Sequence, residues 1–454
     1  MNLAIVGGGI AGLAAAWELS GGPEAADQVT VFEPGPLGGR IRTEDFLGHP
    51  VDAGADAFIA RVPDAVALAG EVGLAEELVA PAARRALVLV GGRLRPLPDG
   101  LVLGAPARLT PLVTSGIVSP RGLLRATVDL VLPRTNWPAD MSVADVVGRR
   151  FGAQVVDRLV EPLIGGIHAG STRELSVEAT APQLARAARS HRSLLAGLRT
   201  LPVPAPGPLF LAPRGGMGQL VDRLVEGLRG RGVRFEPVAV SRVGREKGGA
   251  VAVEPGGRFD GAVVATPGPV TARLVDNAAP AAAGELGAIR WSSVVVATLA
   301  YRQSDVALPE GASGWLVARD EATLMTACSF GSAKWRHWAD PGVVVLRVSA
   351  GRAGDERVWS LTDAEVIDRL QHEVAGPLAT SATPFHWRLS RWREAFPQYE
   401  VGHGARVERI EAALARDLPG VALAGATLRG SGIPACVASG RRAARALRAR
   451  RCGT

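Results

Sequence analysis

Gly7, Gly9 and Gly12 stand in GxGxxG spacing, and Glu33 closes a later apolar run. Alone, such a glycine set is a weak signal. Here the glycines follow Leu3-Ala4-Ile5-Val6 and open the Ala/Leu-rich stretch Ile10 to Leu19, which reads as strand, tight turn, helix. The first glycine permits the turn, the second lets backbone approach a pyrophosphate, and the third lets helix and strand pack closely. The phosphates then meet the positive end of the helix dipole. Val29-Thr30-Val31-Phe32 reads as a second strand, and the carboxylate of Glu33 at its end is placed to accept hydrogen bonds from an adenosine ribose. Together these residues predict a dinucleotide site.

No catalytic triad or acid–base pair accompanies it. Cys328, Cys436 and Cys452 are far apart with no CxxC pair, and His49, His191, His337, His372 and His386 have no ligand spacing between them, so neither a metal site nor a disulfide framework is expected.

The elements that position these residues must come from a chain of 454 residues, long enough for two or three domains. A composition of 47% hydrophobic and 21% charged residues is that of an ordinary globular protein. The net charge of +7 comes from a basic set with only two lysines, Lys247 and Lys334. Such a set beside abundant Ala, Gly and Val reads as coding bias, and no nucleic-acid partner is inferred. The one dense cluster, Arg441, Arg442, Arg445, Arg448, Arg450 and Arg451, reads as a solvated face of a terminal helix. The strand pattern beginning at Asn2 leaves no room for a signal peptide, and no apolar run is long enough to span a bilayer. A cytoplasmic protein is expected, with peripheral membrane contact left open.

From 64 to 200 the pattern is mainly helical, broken by proline turns, with a hairpin predicted where Gly91-Gly92 separates Ala86–Val90 from Arg93–Pro96. Residues 201–208 alternate with proline and read as an extended linker. Val233 to Val240, Ala262 to Thr266 and Val421 to Ala424 read as strands rejoining the first sheet, whereas Ser293 to Tyr301 and Val343 to Val348 suggest a second sheet. Trp335 and Trp338 read as core of that β-rich part, and a core helix is favoured within Leu112 to Leu132.

Beyond Glu33, the run Pro34-Gly35-Pro36-Leu37-Gly38-Gly39-Arg40-Ile41 resembles the GG-R motif of FAD-containing oxidoreductases of the amine-oxidase superfamily, which favours FAD over NAD. Glu161-Pro162-Leu163-Ile164-Gly165-Gly166-Ile167-His168-Ala169-Gly170 resembles the flavoprotein porphyrinogen oxidases more narrowly. Pro213 to Met217, Arg391-Trp392 with Phe396-Pro397-Gln398-Tyr399 and Gly402-His403, Leu423 to Gly425, and Gly430 to Pro434 with Cys436 and Ser439-Gly440 agree. The resemblance spans residues 2 to about 446.

It implies an α/β fold: a Rossmann-like FAD-binding domain in three segments, 1–75, 208–268 and 400–454. A helical insertion fills 76–207 and a mixed β-sheet substrate domain fills 269–399. It implies noncovalent FAD held by Gly7, Gly8, Gly9, Ile10, Ala11, Gly12, Leu13, Glu33, Pro34, Gly38, Gly39, Arg40, Gly54, Ala55, Asp56, Ala57, Val238, Trp392, Gly430, Ser431, Gly432 and Ile433. The implied activity is oxidation of coproporphyrinogen III to coproporphyrin III in haem biosynthesis. Six electrons would leave the macrocycle as hydride to flavin, which molecular oxygen reoxidises to give peroxide. Protoporphyrinogen IX is the alternative substrate, and transient contact with haem-pathway enzymes is left open. A flavin amine oxidase is disfavoured, because Tyr301 and Tyr399 are the only tyrosines available for an aromatic cage. Arg61 and Arg85 are candidates for substrate propionates, Gly165 and Gly166 for pyrrole N–H groups, and His168 for the pocket wall. His168 stands where the resembled family usually has an aromatic residue, Ala435 where it usually has an acid, and Arg429 precedes Gly430.

Overall fold

The computed structural model describes residues 1–21, 25–26, 28–202, 206–246 and 248–449. The apolar run after Met1 forms the strand Asn2–Val6, the centre of a five-stranded sheet. Across that sheet the order is Arg234–Glu236, Gln28–Phe32, Asn2–Val6, Gly261–Val264 and Val421–Leu423, every pairing parallel. Period-two alternation sends Leu3, Ile5, Val29, Val31 and Val263 into one core and Ala4, Val6, Phe32, Ala262 and Val264 into another. The first core is closed by helices Ile10–Leu19, Gly218–Gly230 and Ile433–Ala449. The second is closed by Gly268–Val275, Pro280–Gly287, His403–Asp417 and the small antiparallel sheet Arg242–Arg245, Val251–Glu254, Gly257–Phe259.

Helix Ile433–Ala449 crosses Ile10–Leu19 so closely that a Cβ on Gly440 would lie 2.1 Å from the Ala11 carbonyl oxygen. The arginine cluster on that last helix is not simply solvated. Arg441 pairs with Glu71 at 2.7 Å, Arg445 pairs with Glu18 at 2.8 Å, and Arg448 donates to the carbonyls of Glu18, Leu19 and Gly21. Arg448 thus satisfies the open C-terminal end of the first helix. Arg450 and Arg451 lie outside the described residues, as do Lys247, Cys452 and residues 203–205 of the linker.

The second sheet has seven strands in the order His386–Pro397, Trp291–Arg302, Val343–Ala350, Met325–Phe330, Ala312–Val317, Arg85–Val90, Arg93–Pro96. The hairpin at Gly91-Gly92 forms as expected, both glycines at positive φ of 60° and 69°. It corrects the boundary drawn at 76–207, because Arg85–Val90 pairs in parallel with Ala312–Val317 and so belongs to the large sheet. A parallel pairing across more than two hundred residues leaves no local mark in the sequence. Further short strands, Leu78–Val79, Leu101–Val102 and Ala105–Pro106, also interrupt the expected helical run.

One face of the large sheet, with Val295, Ala297, Leu299, Leu346 and Val348, packs on helix Asp363–Ala375. The other face turns toward the nucleotide fold. Trp335 and Trp338 are each 1% exposed and so are core, but they pack in the cluster around the parallel sheet instead of the core of the β-rich part expected from the sequence, which lies under helix Asp363–Ala375. Leu112 to Leu132 is not one core helix: it divides into Thr110–Ser115, Pro120–Thr127 and a 3-10 turn, leaving Leu124 and Val131 exposed. No helix among the described residues is long and apolar enough to cross a membrane.

Candidate functional site

A cavity of about 480 Å³ runs between the two sheets and under the segment 161–170. At one end lie Gly7, Gly9, Ile10 and Ala11 at the start of the first helix, whose N-cap, Gly9, is extended with no side-chain cap. Uncapped N–H groups there are open to an anion. The glycines differ in purpose. A Cβ on Gly12 would lie 1.9 Å from the Gly7 carbonyl oxygen, whereas one on Gly9 would meet no atom within 4 Å and would project into open space. Gly12 is required by packing, and Gly9 leaves room for a ligand. Glu33 is held beside this turn by N–H groups of Gly8 at 2.8 Å and Gly35 at 3.0 Å. This donor set, with an open cradle and a fixed carboxylate, suits the adenosine diphosphate half of a dinucleotide.

Further along the wall come Gly38, Gly39, Arg40, Gly54, Ala55, Trp392, Ser431 and Ile433. Arg40 donates to the Glu394 carbonyl and lies 5.3 Å from the Trp291 ring centroid; burial pulls its pKa down. Trp392 is fixed by its indole N–H, 3.0 Å from the Ala53 carbonyl oxygen. The glycine loop before the last helix is tied by Tyr399, whose hydroxyl donates to Ala426 and accepts from the Gly430 N–H at 3.0 Å. Tyr399 is buried against His403, ring centroids 4.4 Å apart.

The block 161–170 is a wide-turned helix over Val156–Gly165 with Pro162 inside it, followed by Ala169 at φ 44°. Gly165 and Gly166 line the cavity. The segment is docked on the 396–403 block: Gln398 donates to the His168 carbonyl at 3.0 Å and to Ser292 Oγ at 2.9 Å, and the Ser176 N–H reaches the Tyr399 carbonyl at 2.8 Å. The two sequence blocks that carried the narrower resemblance thus support one another in space.

Several expected residues stand elsewhere. Arg61 lies on an exposed turn and Arg85 on an exposed strand start, where it donates to the Glu310 carbonyl; neither lines the cavity. Both were chosen by sequence distance from a motif, which does not report which way a strand or turn faces. The Asp56 carboxylate binds Lys334 at 2.8 Å and Trp335 Nε1 at 3.1 Å, with Arg347 at 3.4 Å. Burial alone would raise its pKa, but Lys334 and Arg347 outweigh that and hold it well below the usual range. Val238 sits beyond strand Arg234–Glu236 and outside the cavity lining. Gly8, Gly12, Leu13, Pro34, Ala57, Gly430 and Gly432 do not line the cavity, and Pro34 and Gly432 are exposed. His168 is beside the lining, its ring 5.9 Å from Tyr399, and burial lowers its pKa to about 4. Arg429 turns away to pair with Glu411, the Nη2–Oε2 distance being 2.7 Å, so it does not charge the pocket.

The sequence reading missed Glu161, Arg347, Arg352, Thr326, Ser349, Trp291 and Thr266 as cavity residues. Glu161 stood inside a quoted block. Arg347 and Ser349 share one face of a strand whose alternate residues Leu346, Val348 and Ala350 are core, but the sequence pattern alone does not say what that face meets. Cys436 also lines the cavity; burial pushes its thiol up to about 12.

The family profile described as flavin containing amine oxidoreductase matches residues 10–448. The chain is 38% identical to the coproporphyrinogen III oxidase of Mycobacterium tuberculosis (strain ATCC 25618 / H37Rv), over 97% of this chain and 95% of that protein. It is 31% identical to the coproporphyrinogen III oxidase of Bacillus subtilis (strain 168), over 97% of both. A crystal structure of an Exiguobacterium sp. 255-15 protein superimposes with a TM-score of 0.87 at 29% identity, over 99% of both chains. With a nucleotide cradle opening into a cavity between two sheets, and with likeness along nearly its whole length, the chain belongs to the flavin containing amine oxidoreductases, among the porphyrinogen oxidases of that family.

Proposed function

We propose that this protein is a coproporphyrinogen III oxidase of haem biosynthesis that binds FAD noncovalently and uses molecular oxygen as acceptor. Its reaction converts coproporphyrinogen III to coproporphyrin III by loss of six electrons, with hydrogen peroxide as the reduced product. The observation that carries this reading is one continuous cavity, with the glycine turn and Glu33 at one end and the wall of 161–170, Val317, Thr326 and Ser349 at the other. Full-length likeness to two proteins named for that activity supports it.

In this reading Gly7, Gly9 and the first turn of helix Ile10–Leu19 hold the pyrophosphate, and Glu33 holds the ribose. Gly38, Gly39 and Gly54 would let backbone approach the cofactor closely, with Arg40 and Trp392 beside it. Ser431 to Ile433 present N–H groups and a helix N-terminus where a reduced cofactor would gather negative charge. A bound flavin supplies two-electron redox chemistry that no side chain in the cavity provides. The thiol of Cys436, kept protonated by burial, is a poor nucleophile, which favours a noncovalent cofactor. The segments around the parallel sheet form the cofactor domain, the seven-stranded sheet forms the substrate domain, and the working location is the cytoplasm.

The test is a purified holoprotein incubated aerobically with coproporphyrinogen III or protoporphyrinogen IX at matched concentration, with porphyrin fluorescence followed in time. Faster oxidation of coproporphyrinogen III is expected. Preference for protoporphyrinogen IX would overturn the substrate, and rates at the autoxidation background for both would overturn the function. Acid precipitation should release the flavin as FAD; a yellow pellet would refute noncovalent binding.

A further inference from the structure

Five charged side chains face the cavity: Glu33, Arg40, Glu161, Arg347 and Arg352. Four are committed. Glu33 is held by two backbone N–H groups, Arg40 donates to the Glu394 carbonyl, and Arg347 donates to the Gly54 carbonyl and lies 3.4 Å from Asp56. Glu161, 4% exposed, takes Arg319 at 2.7 Å and the N–H of Thr172 at 2.8 Å. Arg352 has no hydrogen-bond or ion-pair partner for its guanidinium among the described residues.

Nor is a partner close at hand. The acids whose charges act on it are Glu161 and Asp355, and Asp355 is already gripped by Arg357 through both oxygens, at 2.8 and 2.7 Å. With Arg319 and Arg357 each neutralising one acid, the group carries one uncompensated positive charge. The position is also fixed. The strand Val343–Ala350 is followed by Gly351, at φ 96°, where a Cβ would lie 2.7 Å from the Ser293 carbonyl oxygen. A turn then follows in which the Asp355 N–H meets the Arg352 carbonyl at 3.0 Å and the Ala353 N–H meets the Ala169 carbonyl at 2.8 Å. Arg352 is thereby pinned between the large sheet and the loop that ends the wide-turned helix.

We propose that the guanidinium of Arg352 receives a carboxylate of the substrate and so sets the orientation of the macrocycle in the cavity. This rests on the porphyrinogen reading, in which that carboxylate is a propionate. A planar fork of N–H donors matches a carboxylate through two parallel hydrogen bonds, and a desolvated cation with no counterion gains most from such a partner. Burial lowers the pKa of Arg352, consistent with a charge held ready for a partner that the chain does not supply.

The test measures equilibrium binding by porphyrin fluorescence, using coproporphyrin III and its neutral tetramethyl ester, on wild-type holoprotein, Arg352→Gln and Arg352→Lys. Loss of a paired charge is expected to weaken binding of the acid by about tenfold or more in Arg352→Gln. The ester should bind wild type and Arg352→Gln within about twofold of each other, because it offers no carboxylate to pair. Arg352→Lys should recover part of the affinity for the acid. With coproporphyrinogen III, KM should rise and kcat should fall with it, since a macrocycle held out of orientation reacts more slowly. Equal losses for acid and ester, or unchanged binding of the acid to Arg352→Gln, would overturn the inference and leave the porphyrinogen reading standing. Failure of the wild type to bind either porphyrin would overturn both.

Discussion

Gly9 and Gly12 share a motif but owe their identity to different neighbours, and alanine at each position separates the two causes. At Gly12 a methyl would sit 1.9 Å from the Gly7 carbonyl oxygen and 3.2 Å from the Ile5 side chain, so helix and strand must move apart. Overpacking of this kind costs about 1–3 kcal/mol, and it is incurred with or without a ligand. Gly12→Ala should therefore melt several degrees lower as apoprotein and as holoprotein. At Gly9 the backbone is extended, at φ −72° and ψ 173°, and a methyl meets nothing within 4 Å. Alanine is a poorer N-cap than glycine by roughly 0.5 kcal/mol, and the reduced freedom of the unfolded chain returns about as much. The apoprotein of Gly9→Ala should consequently melt within a degree or so of wild type. Its FAD affinity should nevertheless fall about tenfold or more, because the methyl occupies the space through which backbone approaches the pyrophosphate. Differential scanning calorimetry of apoproteins and FAD titration by flavin fluorescence give the two quantities. A Gly9→Ala variant that binds FAD like wild type would refute the cradle, and a Gly12→Ala apoprotein as stable as wild type would refute the packing argument.

Three further outcomes follow from buried titratable groups. Burial raises the pKa of Asp52 to about 6, against hydrogen bonds from Thr43 and the Met217 N–H. The folded state therefore holds a proton more tightly than the unfolded chain at about 3.9, and stability falls as pH rises from about 4 to about 6. Asp52→Asn should erase that slope, opening a gap over wild type of roughly 3 kcal/mol in denaturant titrations above pH 6; parallel pH curves would refute it. Asp129, fully buried, accepts from Ser193 Oγ and the N–H groups of Leu194 and Leu195 and faces Arg150 at 3.6 Å. Asp129→Ala leaves that arginine, itself 1% exposed, with its bonds to Pro133 and Thr135 but without its counter-ion, and should cost about 3–5 kcal/mol by urea denaturation. His168, its pKa lowered to about 4 by burial, should stay neutral from pH 5 to 8. His168→Phe should then leave the shape of the kcat/KM pH profile unchanged over that range.

The sequence by itself determined the nucleotide fold and its place in the chain. Strand, glycine turn, helix and terminal acid lie within the first 33 residues; Gly12 is fixed by Gly7 five residues before it, and Glu33 by Gly35 and, across one strand pairing, by Gly8. Local sterics and period-two alternation suffice there, and the hairpin at Gly91-Gly92 was legible for the same reason. Only the tertiary structure decided which cations face the cavity. With nearly all basic residues being arginine, type carries little information, and proximity to a motif pointed to Arg61 and Arg85, which lie outside it. Arg347 and Arg352 reach the wall because the strand Val343–Ala350 is packed between Trp291–Arg302 and Met325–Phe330, with its apolar alternates turned to helix Asp363–Ala375. Asp56, placed by its motif beside the cofactor, is instead drawn to Lys334, 278 residues away. A side chain's direction within a strand follows from register, and register across distant strands is set by the sum of pairings over the whole sheet, which no local stretch of sequence contains.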